Sequence, residues 1–223
     1  MGQEIKGQGF LLRVVTAQEA DIIVRILTSK GEKISGFAKA ALKSRKRFGG
    51  ALEPLTQIDF RGIKKENQDL LYLEETQVRH EFPRLRSDLE RLTVAMYLSE
   101  LTEIGAQEGL ENPELYNLIG AAWKALDKGA LTSGVSRQFE IKFLSLLGWL
   151  PHFDYHSKSP VVGSEETKNI IIKLLRSKIA NTEVSEEEAH QVQKITASLL
   201  HAHIGSHKLK STQFLGSLRR FQK

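Results

Sequence analysis

Apolar and polar positions follow two different periods along the chain, and the change comes near residue 82. Before that point, short runs of apolar and β-branched residues alternate with polar turns, a pattern typical of β-strands. Five strands are predicted, over residues 9–16, 22–28, 34–38, 55–60 and 70–78. Five short strands without a long helix between them predict a small barrel, because antiparallel strands can be joined by short turns. A five-stranded barrel of this length is typical of the OB-fold, which commonly binds single-stranded nucleic acid.

After Pro83, apolar residues recur at the spacing of helices that bury one face. Ser87 with Glu90, and Ser185 with Glu188, predict capping boxes at two helix starts. Six helices are predicted, over residues 89–104, 113–129, 135–147, from 165 onward, 185–205 and 213–221. Strands followed by helices predict an α+β chain of two domains. We place an OB-fold nucleic-acid-binding domain at residues 1–81 and an all-α helical domain at residues 82–223.

Charge is distributed unevenly along the 223 residues, whose formal net charge is +5. Residues 1–50 contain ten basic and four acidic side chains, and residues 189–223 contain six basic and no acidic ones. The middle of the chain is therefore acidic overall. Basic ends indicate a polyanionic partner, although charged ends that only improve solubility are the simpler alternative.

Several classes of protein are excluded or disfavoured. The chain has no cysteine, which excludes disulfides, thiolate metal sites and thiol nucleophiles and suits the reducing cytoplasm. Its apolar runs are far shorter than the roughly 18 residues of a transmembrane helix, and Glu4 and Arg13 argue against a signal peptide. No Walker phosphate loop, dinucleotide glycine fingerprint or nucleophile elbow occurs. The sequence therefore predicts a cytoplasmic binding protein that is not an enzyme and needs no cofactor.

A basic run between the third and fourth predicted strands is the main candidate interface. It contains five cations, no acid and an adjacent aromatic ring: Lys39, Lys43, Arg45, Lys46, Arg47 and Phe48. Such cations neutralise phosphates and release counterions, and an aromatic ring can stack on a base. The alternative is a solvated loop with Phe48 packed into the barrel. Because five like charges repel one another between two strands, we predict that this run binds nucleic acid.

Two further groups of basic residues are less specific. The C-terminal segment contains Lys208, Lys210, Arg219 and Arg220, and we expect these to join the first run in one track for nucleic-acid backbones. His201, His203 and His207 lie in the same segment, but a metal site there would lack supporting ligands. A third group surrounds the first helix start, and it either extends the positive surface or pairs with Glu81, Asp88 and Glu90: Arg79, Arg84, Arg86 and Arg91.

Five motifs occur along the chain in a characteristic order. They are QEADIIV at residues 18–24 leading to Thr28 and Gly31, RFGGALEP at 47–54, FPRLRSDLERL at 82–92, RQFEI at 137–141 leading to GWLP at 148–151, and IG at 204–205 leading to LKS at 209–211. This ordered set resembles the RecO family of bacterial recombination mediator proteins. The resemblance covers nearly the whole chain.

The resemblance implies an N-terminal OB domain, a helical C-terminal domain and a location at the bacterial nucleoid. It implies binding of single- and double-stranded DNA and annealing of complementary strands. It also implies work with RecR and contact with the acidic C-terminal tail of single-stranded-DNA-binding protein, so that RecA can load. We predict that Arg137 contacts this tail beside a pocket between helices.

The sequence departs from the family pattern after residue 151. Many members carry a four-cysteine zinc site there, whereas residues 152–163 are shortened and contain no cysteine. His152 and His156 alone do not make a tetrahedral structural site, so we predict that no zinc is bound. The family's usual arginine after the LKS motif is Thr212 here.

Two other classes of function stay open at this point. The chain could be an OB module that binds RNA, which competition between matched DNA and RNA oligomers would reveal through the 2′-hydroxyl. It could also be an interaction scaffold whose basic ends contact an acidic protein. A lack of nucleic-acid binding at low salt would favour the scaffold.

Overall fold

A computed structural model describes residues 2–66, 68–151, 164–179, 184–205, 209 and 211. The chain divides into two units. The first contains Met1–Pro83 with Ser99–Gly120, and the second contains Arg84–Leu98 with Ala121–Lys223. The domain boundary expected near residue 82 stays a prediction.

Five strands form a closed barrel in the first unit: β1 (Gln3–Thr16), β2 (Ile22–Thr28), β3 (Lys33–Ala38), β4 (Gln57–Lys64) and β5 (Leu70–His80). Their order around the barrel is β1-β2-β3-β5-β4, and only the β3–β5 pair is parallel among the described strands. The long strand β1 closes the barrel because its second half pairs with β2 and its first half with β4. The predicted five-stranded barrel and the α+β fold class are confirmed.

Two strand boundaries differ from the predicted ones. β1 begins at Gln3 and not at Gly9, because residues 3–8, most of which are polar, pair through their backbone with β4. Leu55 was expected to begin the fourth strand, but its backbone has φ 61. That left-handed conformation cannot continue a strand, so β4 begins at Gln57.

Apolar side chains from all five strands fill the barrel interior, together with side chains from the connection between β3 and β4. The strands contribute Leu11, Ile22, Val24, Ile26, Ala38, Ile58, Phe60, Leu71 and Leu73, and the connection contributes Ala41, Phe48, Ala51 and Leu52. Burial of this surface is the main favourable free energy of the barrel. The connection is therefore part of the core and is not a loose loop.

Seven α-helices are described: α1 (Arg45–Phe48), α2 (Pro83–Ser87), α3 (Leu89–Gly105), α4 (Pro113–Asp127), α5 (Thr132–Leu146), α6 (Glu165–Arg176) and α7 (Glu186–Ile204). The end of α3 and the start of α4 belong to the first unit. There the Phe10 ring of β1 stacks on Tyr116 of α4 at 4.5 Å between centroids. Gly120 lies beside the same ring, and a Cβ there would come within 2.8 Å of Phe10 Cζ. A glycine is therefore needed for α4 to approach the barrel.

The capping predictions have different outcomes. The box at Ser185 and Glu188 is confirmed, since Ser185 Oγ accepts from the Glu188 N–H and the Glu188 carboxylate accepts from the Ser185 N–H. This backbone hydrogen bond lowers the pKa of Glu188. The predicted cap at Ser87 is wrong, because Ser87 ends α2 and its hydroxyl donates to the Arg84 carbonyl. Asp88 caps α3 by accepting from the Arg91 N–H at 3.0 Å.

Helices α5, α6 and α7 pack against one another in the second unit. α5 begins at Thr132, one turn before the predicted start. The helix predicted over residues 213–221 lies outside the described residues. In the part of the chain that the structure describes, no helix combines the length and the apolar character that crossing a membrane requires.

Candidate nucleic-acid interface

The basic run, which we call the cationic segment (residues 39–47), is built on two short helical turns. A 3-10 turn covers Ala41–Lys43 and α1 covers Arg45–Phe48. Ala41 and Phe48 are buried in the barrel core, and Ala38 is buried just before the segment. Because apolar anchors lie before, within and directly after it, the segment has a defined course over the barrel surface.

The connection between β1 and β2 supplies two hydrogen bonds that orient the cationic segment. Asp21 Oδ1 accepts from the Ala40 N–H at 2.7 Å, and the Ala20 carbonyl accepts from the Leu42 N–H at 3.1 Å. Ala40 has φ 51, a left-handed conformation that is costly for a residue with a Cβ. The Asp21 carboxylate therefore stabilises the bend that turns the chain from β3 into the segment.

Four cations of the segment are exposed: Lys39, Lys43, Arg45 and Lys46. Within the described residues, none of these four forms an ion pair with a carboxylate. The fifth, Arg47, is half-buried. Its Nε donates to Ser44 Oγ at 2.9 Å and its Nη2 donates to the Lys39 carbonyl at 2.8 Å. Arg47 thus stabilises the segment, while the other four cations face solvent.

Phe48 does not have the position expected of a ring that stacks on a base. Only 2% of its surface is exposed, and it packs with the barrel core. The alternative that Phe48 packs into the barrel describes its position, and its contact with nucleic acid stays a prediction. The Arg47 guanidinium lies 4.8 Å from the centre of the Phe48 ring, which adds a cation–π contact at the edge of the core.

Most cations elsewhere on the described part of the barrel unit are paired with carboxylates. Arg13 and Arg25 lie 3.8 and 3.7 Å from Glu103. Other pairs on this unit are Lys30 with Glu111 at 2.8 Å, Arg61 with Glu74 at 2.5 Å, and Arg79 with Asp59 at 2.7 Å. Arg79 is thus paired with Asp59. Arg91 pairs with Asp88, which agrees with the alternative that the basic residues around the first helix start pair with nearby carboxylates. On the described part of this unit, Lys64 and Lys65 at the end of β4 are also exposed without an ion pair, but the cationic segment presents four such cations in a single run.

Arg137, the predicted contact for an acidic partner tail, lies in a buried network of the second unit. Its Nη1 is 2.9 Å from Glu140 Oε2, and only 14% of the Arg137 side chain and 1% of the Glu140 side chain are exposed. Glu140 also accepts from the Tyr97 hydroxyl at 2.7 Å and from the Thr196 hydroxyl. Burial, followed by the Glu140 charge, raises the pKa of Tyr97 well above its usual value. The network surrounds one buried carboxylate with side chains from three helices, α3, α5 and α7.

The C-terminal candidates cannot be placed beside the cationic segment. Lys208, Lys210, Arg219 and Arg220 lie outside the described residues, so their convergence with the segment stays a prediction. His207 and residues 152–163 also lie outside them, whereas the His203 ring stacks on Trp149 at 4.9 Å. Among the described residues, no group of three or more His, Asp or Glu side chains is arranged to hold a metal ion.

Comparison with known proteins identifies the family. Residues 1–82 match the family model described as "Recombination protein O N terminal", and residues 86–161 match "Recombination protein O C terminal". A protein named DNA repair protein RecO from Anaeromyxobacter sp. (strain K) is 37% identical over 150 residues, which cover 67% of this chain and 59% of the relative. The chain belongs to the RecO family.

Other RecO relatives match to a similar extent. The DNA repair protein RecO of Syntrophus aciditrophicus (strain SB) is 34% identical over 67% of this chain and 58% of the relative. That of Alkaliphilus metalliredigens (strain QYMF) is 32% identical over 66% of this chain and 60% of the relative. The RecO-family chain thus spans about three fifths of the length of the curated relatives that it matches.

Asp21 is the residue of this candidate interface whose structural role the sequence did not reveal. It stands in the QEADIIV motif, but a carboxylate 18 or more positions before the cations gives no local signal of a contact with them. The one available signal was its place directly before an apolar strand, where Asp commonly bonds to nearby backbone. Its partner, the Ala40 N–H, becomes clear only from the pairing of β2 with β3.

Replacing Asp21 with alanine should weaken binding of single-stranded DNA about fivefold, which corresponds to about 1 kcal/mol for one lost hydrogen bond. Without this hydrogen bond, DNA binding would have to order the cationic segment, and this ordering would reduce the affinity. Asp21→Asn is the matched control, because it removes the same charge but keeps an acceptor oxygen. If simple electrostatics dominated, both variants would bind more tightly than the parent. Fluorescence anisotropy with a labelled oligonucleotide would measure the difference.

Proposed function

We propose that this chain is a DNA-binding mediator of recombinational repair that binds single- and double-stranded DNA and anneals complementary strands. One observation carries the proposal. Lys39, Lys43, Arg45 and Lys46 are four exposed cations within eight residues, and none has a carboxylate partner among the described residues, whereas most cations on other parts of the barrel unit are paired. Family membership supports the same class of function.

The proposed activity is electrostatic and makes no covalent bond. Two complementary strands repel each other because each is a polyanion, and cations that replace their condensed counterions lower this repulsion. Lysine and arginine side chains that contact phosphates leave the base edges free to pair. The cationic segment would hold one strand, and Lys208, Lys210, Arg219 and Arg220 would hold a second strand or extend the same track. No catalytic residue is required for this activity.

The partners are proposed from the family resemblance. The chain would work with RecR, would contact the acidic C-terminal tail of single-stranded-DNA-binding protein, and would thereby help RecA to load. Arg137 stays the predicted cation for this tail. Its pairing with Glu140 means that a single charge reversal at Arg137 would disturb the fold as well as any tail site.

A strand-annealing assay on DNA coated with single-stranded-DNA-binding protein tests the proposal directly. We expect the chain to speed annealing of two complementary coated strands above the rate without it, and we expect the gain to fall as salt rises. Uncoated strands serve as the control that separates annealing from recognition of the coat. Tighter binding of an RNA oligomer than of the matched DNA oligomer would instead favour RNA binding. No binding to either oligomer at low salt would contradict the proposal.

A further inference from the structure

Leu42 is an exposed apolar side chain in the middle of the cationic segment. It lies in the 3-10 turn between the buried Ala41 and the exposed Lys43, and 58% of its surface is open to solvent. Its N–H donates to the Ala20 carbonyl. The turn is therefore fixed from both sides, by the buried Ala41 side chain and by this hydrogen bond, and it holds the Leu42 side chain in solvent.

The other apolar residues of this region are not exposed. Within residues 39–48, all of which the structure describes, Ala41 and Phe48 pack into the barrel core and Ala40 is partly covered. Leu42 is thus the one apolar side chain that the segment presents alongside Lys39 and Lys43. A surface that bound phosphates alone would gain nothing from a leucine at this position.

We infer that Leu42 contacts the faces of unpaired bases, and that it gives this surface a preference for single-stranded over double-stranded DNA. The inference rests on the proposed function. Bases of a single strand lie within a few ångströms of the phosphates that Lys39 and Lys43 would contact, and their apolar faces are accessible. In a duplex those faces are stacked on one another. Leucine is among the side chains that insert between the bases of kinked duplexes, where unstacking the bases costs free energy. On a single strand the base faces are already accessible, and contact with them tolerates any sequence.

The test compares the full chain with its Leu42→Ser variant on three labelled probes of one length. These probes are oligothymidine, an oligomer of abasic deoxyribose phosphates, and a duplex. Leu42→Ser should weaken binding to oligothymidine about fivefold, near the lower end of the contribution of one base stacked on an aromatic side chain. Binding to the abasic strand and to the duplex should be unchanged, as should the salt dependence for all three probes, since no cation is removed.

Leu110→Ser is the matched control, because Leu110 is 56% exposed in the same unit but lies outside the cationic segment. It should bind all three probes like the parent. Equal weakening of all three probes by Leu42→Ser, or no weakening of any, would overturn the inference while leaving the proposed function intact. Failure of the parent chain to bind any probe at low salt would overturn the proposed function itself. Thermal unfolding of both variants would show whether they keep the fold.

Discussion

Replacing the four exposed cations of the cationic segment with glutamine should make the salt dependence of single-stranded DNA binding much less steep. Each phosphate contact contributes about −0.7 to the slope of log K against log salt, so four contacts contribute about −2.8. Over a fourfold rise in salt, the parent should therefore lose about fifty times more affinity than the variant. The substitutions are Lys39→Gln, Lys43→Gln, Arg45→Gln and Lys46→Gln.

Arg47 is kept in this variant because its guanidinium bonds to Ser44 Oγ and to the Lys39 carbonyl. Removing it would disturb the course of the segment and would confuse loss of charge with loss of structure. The four replaced side chains are exposed and lie outside the barrel core. We therefore expect the thermal stability of the variant to match that of the parent, because exposed substitutions usually change it little.

A control with the same loss of charge tests whether position matters. Four exposed lysines on other parts of the barrel unit provide it: Lys6, Lys30, Lys64 and Lys65. Their replacement by glutamine should leave most of the slope intact, since the slope counts cations that contact phosphates and these lysines lie outside the cationic segment. Equal slopes in the two variants would mean that net charge, and not the cationic segment, determines binding.

The barrel could be predicted from sequence because its signal is local and repeated. Strands such as β2 are short apolar runs closed by turns, and the barrel interior is made of those same apolar positions. The segment between β3 and β4 has no such period, so its direction could not be predicted. Two short turns point Ala41 and Phe48 inward and leave Leu42 outside, whereas the aromatic character of Phe48 had favoured an exposed ring.

The pairing of charged side chains also could not be predicted from the sequence. The number of cations in the segment could be read directly, but which ones are available depends on contacts with distant residues. Glu103, for example, lies far along the chain from Arg13 and Arg25, yet it is close to both. Such pairing follows from how the end of α3 lies on the barrel unit, and no local pattern in the sequence encodes it.

The sequence contained a signal for the pairing of Arg137 with Glu140, but Arg137 was interpreted as a contact for an external partner. Glu140 follows it by three residues, the spacing at which side chains on a helix meet. Because an arginine in a helical domain also suits an acidic tail, the sequence alone favoured an external partner. Tyr97 and Thr196, which complete the carboxylate's surroundings, come from α3 and α7, and their approach to α5 could not be predicted.

Replacing Arg137 with methionine should destabilise the second unit by about 3–5 kcal/mol, because it leaves the Glu140 carboxylate buried without its cation. The neighbouring hydroxyls of Tyr97 and Thr196 can donate to the carboxylate, but they cannot neutralise its charge. Urea unfolding followed by far-UV circular dichroism would measure the change in the free energy of unfolding. A loss below about 1 kcal/mol, the value typical of exposed pairs, would contradict the assigned role.

The double variant Arg137→Met with Glu140→Gln should recover most of this stability. A glutamine amide is neutral and can still accept a hydrogen bond from Tyr97 or Thr196, so no uncompensated charge remains buried. This folded variant without the cation then makes the partner-tail prediction testable. If it binds an acidic, apolar peptide of the kind found at that tail as tightly as the parent does, Arg137 is not the tail's contact and serves only to hold Glu140. If its stability is restored but peptide affinity is lost, the guanidinium both stabilises the helices and contacts the tail.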